Sequence, residues 1–120
     1  MEGGMPMLIE AICLHLIADW IFQNDWMAKN KGSLAHPAAW VHGGIHFLAM
    51  LILFAPMVAG AIALVHMLID TRKPLGGWSK FYRQTTEGEY AIHVSIWLDQ
   101  VAHIVVLYLA VKIIELLGRA

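Results

Sequence analysis

Long apolar stretches alternate with short polar breaks along this chain, and their spacing is helical rather than strand-like. The first stretch runs from Met5 to about Met27, with Glu10, His15, Asp19, Gln23 and Asp25 among its polar interruptions. Lys29-Asn-Lys31-Gly-Ser33 follows as a polar loop. Pro37 suits the first turn of a second helix, which should reach about Phe54. Pro56 and Gly60 punctuate the next turn, and a short third helix is predicted from about Met57 to Asp70. Pro74, Gly76 and Gly77 should end it. Trp78-Ser-Lys-Phe-Tyr-Arg83 is basic and aromatic, as a segment lying on a membrane surface would be. Thr86-Glu-Gly-Glu89 has the capping-box pattern, and a fourth helix should run on to about Leu117. The expected fold is all-α, a single domain over residues 1–120.

Composition turns this helical pattern into a membrane prediction. Hydrophobic residues make up 59% of the chain and charged ones 14%, against about 45–50% and 25% in soluble domains. The expectation is an integral membrane bundle of four transmembrane helices in up-down order, with the basic, aromatic segment at the interface between helices 3 and 4. No stretch reaches the ~20 uninterrupted apolar residues of a simple span, so helices 1 and 4 must turn their polar residues inward, and the short helix 3 must tilt or thin the bilayer. The competing reading is a very apolar soluble bundle that oligomerises, and a homo-oligomer stays open in either case. Met1 to Met7 lacks a basic n-region and no small-residue cleavage site follows, so helix 1 is expected to be its own insertion signal.

Charge sets the orientation. Lys29, Lys31, Arg72, Lys73, Lys80 and Arg83 fall in the 1–2 and 3–4 connections, and only Lys112 and Arg119 lie near the other side. The positive-inside rule puts those two connections in the cytoplasm and both termini outside. Trp20, Trp26, Trp40, Trp78, Phe81, Tyr82 and Tyr90 gather toward the same basic side. The net charge of −1 gives no reason to expect nucleic acid. The single cysteine, Cys13, excludes an intramolecular disulfide and a Cys-rich zinc site, and is expected to be a small core residue.

The polar residues inside the apolar stretches are not random. His15 and Asp19, His42 and His46, His66 and Asp70, and Asp99 and His103 are each four apart, hence on one helix face. They take in five of the seven histidines and three of the four aspartates. Counted from the basic ends at about 1.5 Å per residue, all four pairs fall in the same half of the bilayer. Ionisable groups are costly there and mark function. Up-down connectivity brings the sets level, so they can converge on one pocket, as in bundle carboxylate sites.

Five imidazoles and three carboxylates suit a divalent metal: zinc first, with manganese or iron also compatible. Eight donors exceed one tetrahedral site. Either two ions bind, or some members orient the ligands. The expected metal set is His15, Asp19, His42, His46, His66, Asp70, Asp99 and His103, with Gln23, Asp25 and Gln100 as supporting partners. Asp19, Asp99 and Lys73 are the expected catalytic residues, Lys73 holding a phosphate or neutralising a carboxylate. Gly43-Gly44 reads as close helix packing.

These motifs in order, His15-Leu-Ile-Ala-Asp19-Trp-Ile-Phe-Gln23-Asn-Asp25-Trp-Met-Ala-Lys29, His42 and His46, His66-x3-Asp70 with Lys73, and Asp99-Gln100-x2-His103, resemble domain-of-unknown-function family 3307 over nearly the whole chain. That resemblance implies a small membrane protein of bacteria or phages, in the bacterial or infected host's inner membrane, and no stated activity. More distantly, the His-x3-Asp helices look like those of inner-membrane metal-dependent hydrolases and of zinc-dependent phospholipase C. The Gly-His-Arg-Gly-x-Thr-His motif of the former is missing. The functional expectation is a metal-dependent hydrolase of the cytoplasmic leaflet. It would act on a lipid or polyprenyl phosphate or ester whose anionic group Arg72, Lys73, Lys80 and Arg83 attract. The alternatives are a divalent-metal or proton transport subunit, and a structural membrane protein locked by polar helix pairs.

Overall fold

The computed structural model describes residues 4–117. Met1 to Gly3, where the N-terminal expectation begins, and Arg119 lie outside them. The described chain is helical with no strand: α1 (Gly4–Leu16), a π-helical turn (Ile17–Ile21), α2 (Asp25–Asn30), α3 (Pro37–Met50), α4 (Pro56–Asp70), α5 (Lys73–Phe81) and α6 (Ala91–Leu116).

Two prolines fix where α3 and α4 begin. Pro37 and Pro56 sit in the first turn, where the missing N–H costs nothing. His36 completes the start of α3 by accepting from the Ala38 amide through Nδ1, at 3.0 Å. The expected first helix is broken. It widens into the π turn, stops at Phe22, and restarts as α2 where Asn24 Oδ1 accepts from the Met27 amide. The stretch around Pro74 also differs from expectation. Arg72 adopts a left-handed φ of 66° directly after α4, and Pro74 then falls in the first turn of α5. The proline starts a helix here, and the basic, aromatic segment is partly helical. The Thr86–Glu89 capping box does not form, since α6 begins at Ala91 without a side-chain cap.

Helix α1 packs on α3 and α6, and α4 packs on the same two helices. The interior has two storeys. At the end away from the basic connections, Ala11, Met50, Phe54, Ala59, Ile62, Leu107 and Val111 form an apolar core. Toward the basic end the buried polar side chains are His15, Asp19, His42, His46, His66, Asp70, Asp99, Gln100 and His103. The outside is apolar: Ile9, Leu48, Leu64, Trp97 and Val105 are among many exposed large side chains. Cys13 is exposed too, not in the core.

Length separates these helices from the four-span expectation. Among the described residues only α6, 26 residues long, is long and apolar enough to cross a membrane. Just 22% of its most apolar window is buried, unlike the core helix of a soluble protein. Helices α1, α3 and α4 have 13, 14 and 15 residues. At about 1.5 Å per residue these rods are shorter than the ~30 Å hydrocarbon core.

One contact holds α3 against α4 beside the polar storey. A Cβ added at Gly43 would stand 2.4 Å from Sδ and 2.8 Å from Cγ of the buried Met67, whereas one at Gly44 would meet nothing within 4 Å. The close packing expected of both glycines is therefore a property of Gly43. Gly43→Val should lower stability by about 1–3 kcal/mol through overpacking, and Gly44→Ala should be neutral or mildly stabilising. Thermal unfolding of the two purified variants checks this; equal losses would contradict the packing account.

Candidate metal centre

The candidate ligands come from four elements. The π turn buries Ala18 and Asp19 while leaving Ile17, Trp20 and Ile21 outside. Single π turns inside α-helices recur at functional sites. Asp19 thereby reaches across to α3, where His42 Nε2 and His46 Nε2 lie 3.0 and 3.2 Å from its Oδ1. From α4, His66 Nε2 stands 3.9 Å from that same oxygen and 3.0 Å from Asp70 Oδ2. From α6, His103 Nε2 lies 3.5 Å from Asp70 Oδ1.

Two groups are tight enough to share an ion. Asp19, His42, His46 and His66 form one, and His66, Asp70 and His103 the other, with ligand atoms within 4.8 Å of one another and every residue buried. Donors about 2.0–2.1 Å from zinc stand roughly 3.3–3.4 Å apart in a tetrahedral site. Neighbouring donors here, at 3.0 to 3.9 Å, bracket that spacing. His and Asp donors without thiolate leave zinc, manganese and iron all compatible.

A fit test comes from atoms with nothing to bond. Nε2 of His66, Nε2 of His103 and both carboxylate oxygens of Asp70 are buried without a hydrogen-bond partner. The 3.0 Å approach of His66 to Asp70 thus lacks hydrogen-bond geometry. Leaving buried polar atoms unpaired costs about 1–3 kcal/mol each, more when charged. Four such atoms converging on one space are what a cation would satisfy. The rings are also crowded, His46 and His66 stacking at 3.6 Å between centroids. Rings this close cannot all carry charge at acceptable cost, and neutral imidazole is the form that ligates.

The remaining polar residues orient this set. The Nδ1–H of His103 donates to the Asp99 carbonyl at 2.7 Å, which presents Nε2 to Asp70. Gln100 Nε2 donates to Asp19 Oδ2 at 3.1 Å and to Asp99 Oδ2 at 3.2 Å. Its Oε1 lies 3.3 Å from His15 Nε2. His15 and Asp99 are therefore in the cluster but outside both ligand groups, a departure from the eight-ligand expectation.

Three sequence candidates are placed elsewhere. Asp25 is on the surface, paired with Lys29 at 3.0 Å. Lys73 is exposed. Gln23 bonds no member of the cluster, but its buried, unpaired Oε1 belongs to a residue lining the cavity above it. The cations that do reach in are Lys31, 3.8 Å from Asp70 Oδ1, and Arg72, 3.1 Å from Asp99 Oδ1 and hydrogen-bonded to Ser95. The sequence marks both only as members of basic loops.

That cavity, about 170 Å³, is lined by Asp19, Trp20, Gln23, Lys31, Arg72, Ile96, Asp99 and Gln100. On the far side of the histidines, Met50, Ile62, Val106 and Leu107 close the interior around a gap of about 10 Å³. The histidines thus lie between a polar cavity on the basic side and a small, apolar-walled gap on the other.

Comparison with known proteins agrees with the order of the motifs. The family model described as "Protein of unknown function (DUF3307)" matches residues 7–120. No curated protein and no solved structure matches the chain.

Proposed function

The chain belongs to the DUF3307 family, whose description assigns no activity, and from the site itself we propose a metal-dependent hydrolase embedded in the cytoplasmic leaflet, acting on a lipid or polyprenyl phosphate or ester. The observation that carries this reading is the cavity joining the cluster to Lys31 and Arg72. It brings metal-type donors, an unligated carboxylate and two cations together in one recess.

The metal would be held by Asp19, His42, His46 and His66, with Asp70 and His103 alongside. When bound, a divalent ion supplies Lewis-acid polarisation and a source of activated water. The rest falls to the chain. Asp99 lines the cavity and belongs to neither ligand group, so its carboxylate is the candidate to take up a proton. Gln100 and Arg72 hold that carboxylate in place. Lys31 and Arg72 attract the anionic part of a substrate. The apolar floor argues against a transport path, which would need polar lining through to the far face.

Membrane embedding is supported by the inverted distribution of side chains, polar within and apolar without. Four passes would place α1 with its π turn, α3, α4 and α6 across the bilayer, the shorter rods accommodated by tilt or local thinning. Exposed Trp20, Trp40, Trp78, Phe81, Tyr82 and Tyr90 would form the belt at the basic face. The positive-inside rule then puts that face in the cytoplasm and the termini in the periplasm.

Purified protein loaded with zinc, manganese or iron should cleave a phosphoester or ester in a broad lipid panel. Asp99→Asn should keep its metal and lose about 10²–10⁴-fold in rate, the range of a general acid or base. Tight metal binding with no cleavage of any lipid would remove the hydrolase reading.

A further inference from the structure

Charge and space in the recess narrow what it can hold. Three carboxylates, Asp19 and Asp99 in its lining and Asp70 beside Lys31, face two cations, Lys31 and Arg72. With neutral histidines the balance is one negative charge, which repels an anion. One divalent ion in the cluster would reverse the sign to one positive charge. The ion would also engage the carboxylates nearest Lys31, freeing that ammonium to face the cavity. At about 170 Å³ the cavity is smaller than the ~300–1,000 Å³ pockets of drug-sized ligands. It suits a phosphoryl group with a short headgroup, not a nucleotide. Gln23, whose Oε1 is buried and unpaired, adds an amide with no partner in the protein; whichever way that amide is turned, it has a hydrogen-bonding group to offer.

The walls indicate the route. Trp20 and Ile96 line the cavity, yet both are also exposed among the apolar side chains outside. The recess is thus bounded by cations on one side and, on another, by two residues of the greasy flank.

We propose that this cavity seats a single phosphoryl group between Lys31 and Arg72, carried by a lipid that slides in past Trp20 and Ile96, and accepted only after a divalent ion fills the cluster. This rests on the metal-site reading above. It adds a coupling between ion and anion that must be reciprocal.

The test uses the full chain in neutral detergent, zinc-loaded or metal-stripped, with zinc counted by elemental analysis. Inorganic phosphate, short-chain phosphatidic acid and phosphatidylcholine of the same chain length are titrated calorimetrically. Zinc-loaded protein should bind phosphatidic acid at least about tenfold more tightly than stripped protein, and Arg72→Gly and Lys31→Gln should each lose about tenfold at unchanged zinc content. Arg72→Gly is not at risk of misfolding from backbone strain, because a φ of 66° suits glycine. Trp20→Ala should weaken the lipid and leave inorganic phosphate unchanged. Bound zinc with no phosphate or phosphatidic acid binding, or with binding indifferent to Arg72 and Lys31, would overturn this inference and leave the metal site standing. Phosphate binding without any gain from acyl chains would overturn the lipid route. A protein that takes up no zinc would overturn both this inference and the function it rests on.

Discussion

Replacing His66 with alanine is expected to empty the protein of divalent metal. Its Nε2 belongs to both candidate ligand groups, and no other residue does. That nitrogen is buried with no hydrogen-bond partner, which suits a metal ligand. Loss of an orienting partner typically costs 10–100-fold in metal affinity; loss of a shared ligand should cost more than about a hundredfold. Elemental analysis of gently purified wild type, His66→Ala and His93→Ala provides the comparison. His93 is exposed at the start of α6 and belongs to neither ligand group, so its variant should match wild type. Equal metal in His66→Ala and wild type would end the proposed centre.

Arginine on the apolar outside should have an effect nearly as large. Leu64 in α4 and Val105 in α6 are exposed at mid-helix. In water, such surface changes shift stability by no more than about 0.5 kcal/mol. At the centre of a membrane-spanning helix, arginine costs about 2.5–3.5 kcal/mol, roughly a hundredfold in insertion. Leu64→Arg and Val105→Arg should therefore largely vanish from the alkali-washed membrane fraction. The informative site is Leu64, because α4 has only 15 residues. If Val105→Arg fails to insert while Leu64→Arg inserts normally, only α6 spans. If both variants are soluble and stable, the chain does not need a bilayer.

How far the sequence discloses this arrangement depends on what marks each boundary. Pro37 and Pro56 announce α3 and α4, because proline at a helix start has a local cause. The four spaced pairs disclose the cluster, because i,i+4 residues share a face whatever the tertiary fold. The break after Ile21 is different. Apolar residues continue through Phe22, so periodicity carries the eye past it, although Asn24 followed by Asp25 is a legible helix start. Lys73 shows a second kind of failure. Three residues past Asp70 it would share that residue's face on a continuing helix, but α4 ends at Asp70 and the left-handed Arg72 breaks the helical path. The guanidinium of Arg72 takes the place beside Asp99, and Lys73 is left in the open. The division of eight donors into ligands and supports was legible only in part, since it turns on sub-ångström differences between helices, to which spacing along one helix is blind.

The apolar floor beneath the histidines bears on traffic. Met50, Ile62, Val106 and Leu107 line only a gap of about 10 Å³ there. If the cluster hydrolyses a substrate as proposed, the product would leave by the same polar cavity that admitted its precursor. A released anion and the next substrate would then compete for the same two cations. Turnover in such a recess should slow as product accumulates, and dilution into fresh membrane should restore it.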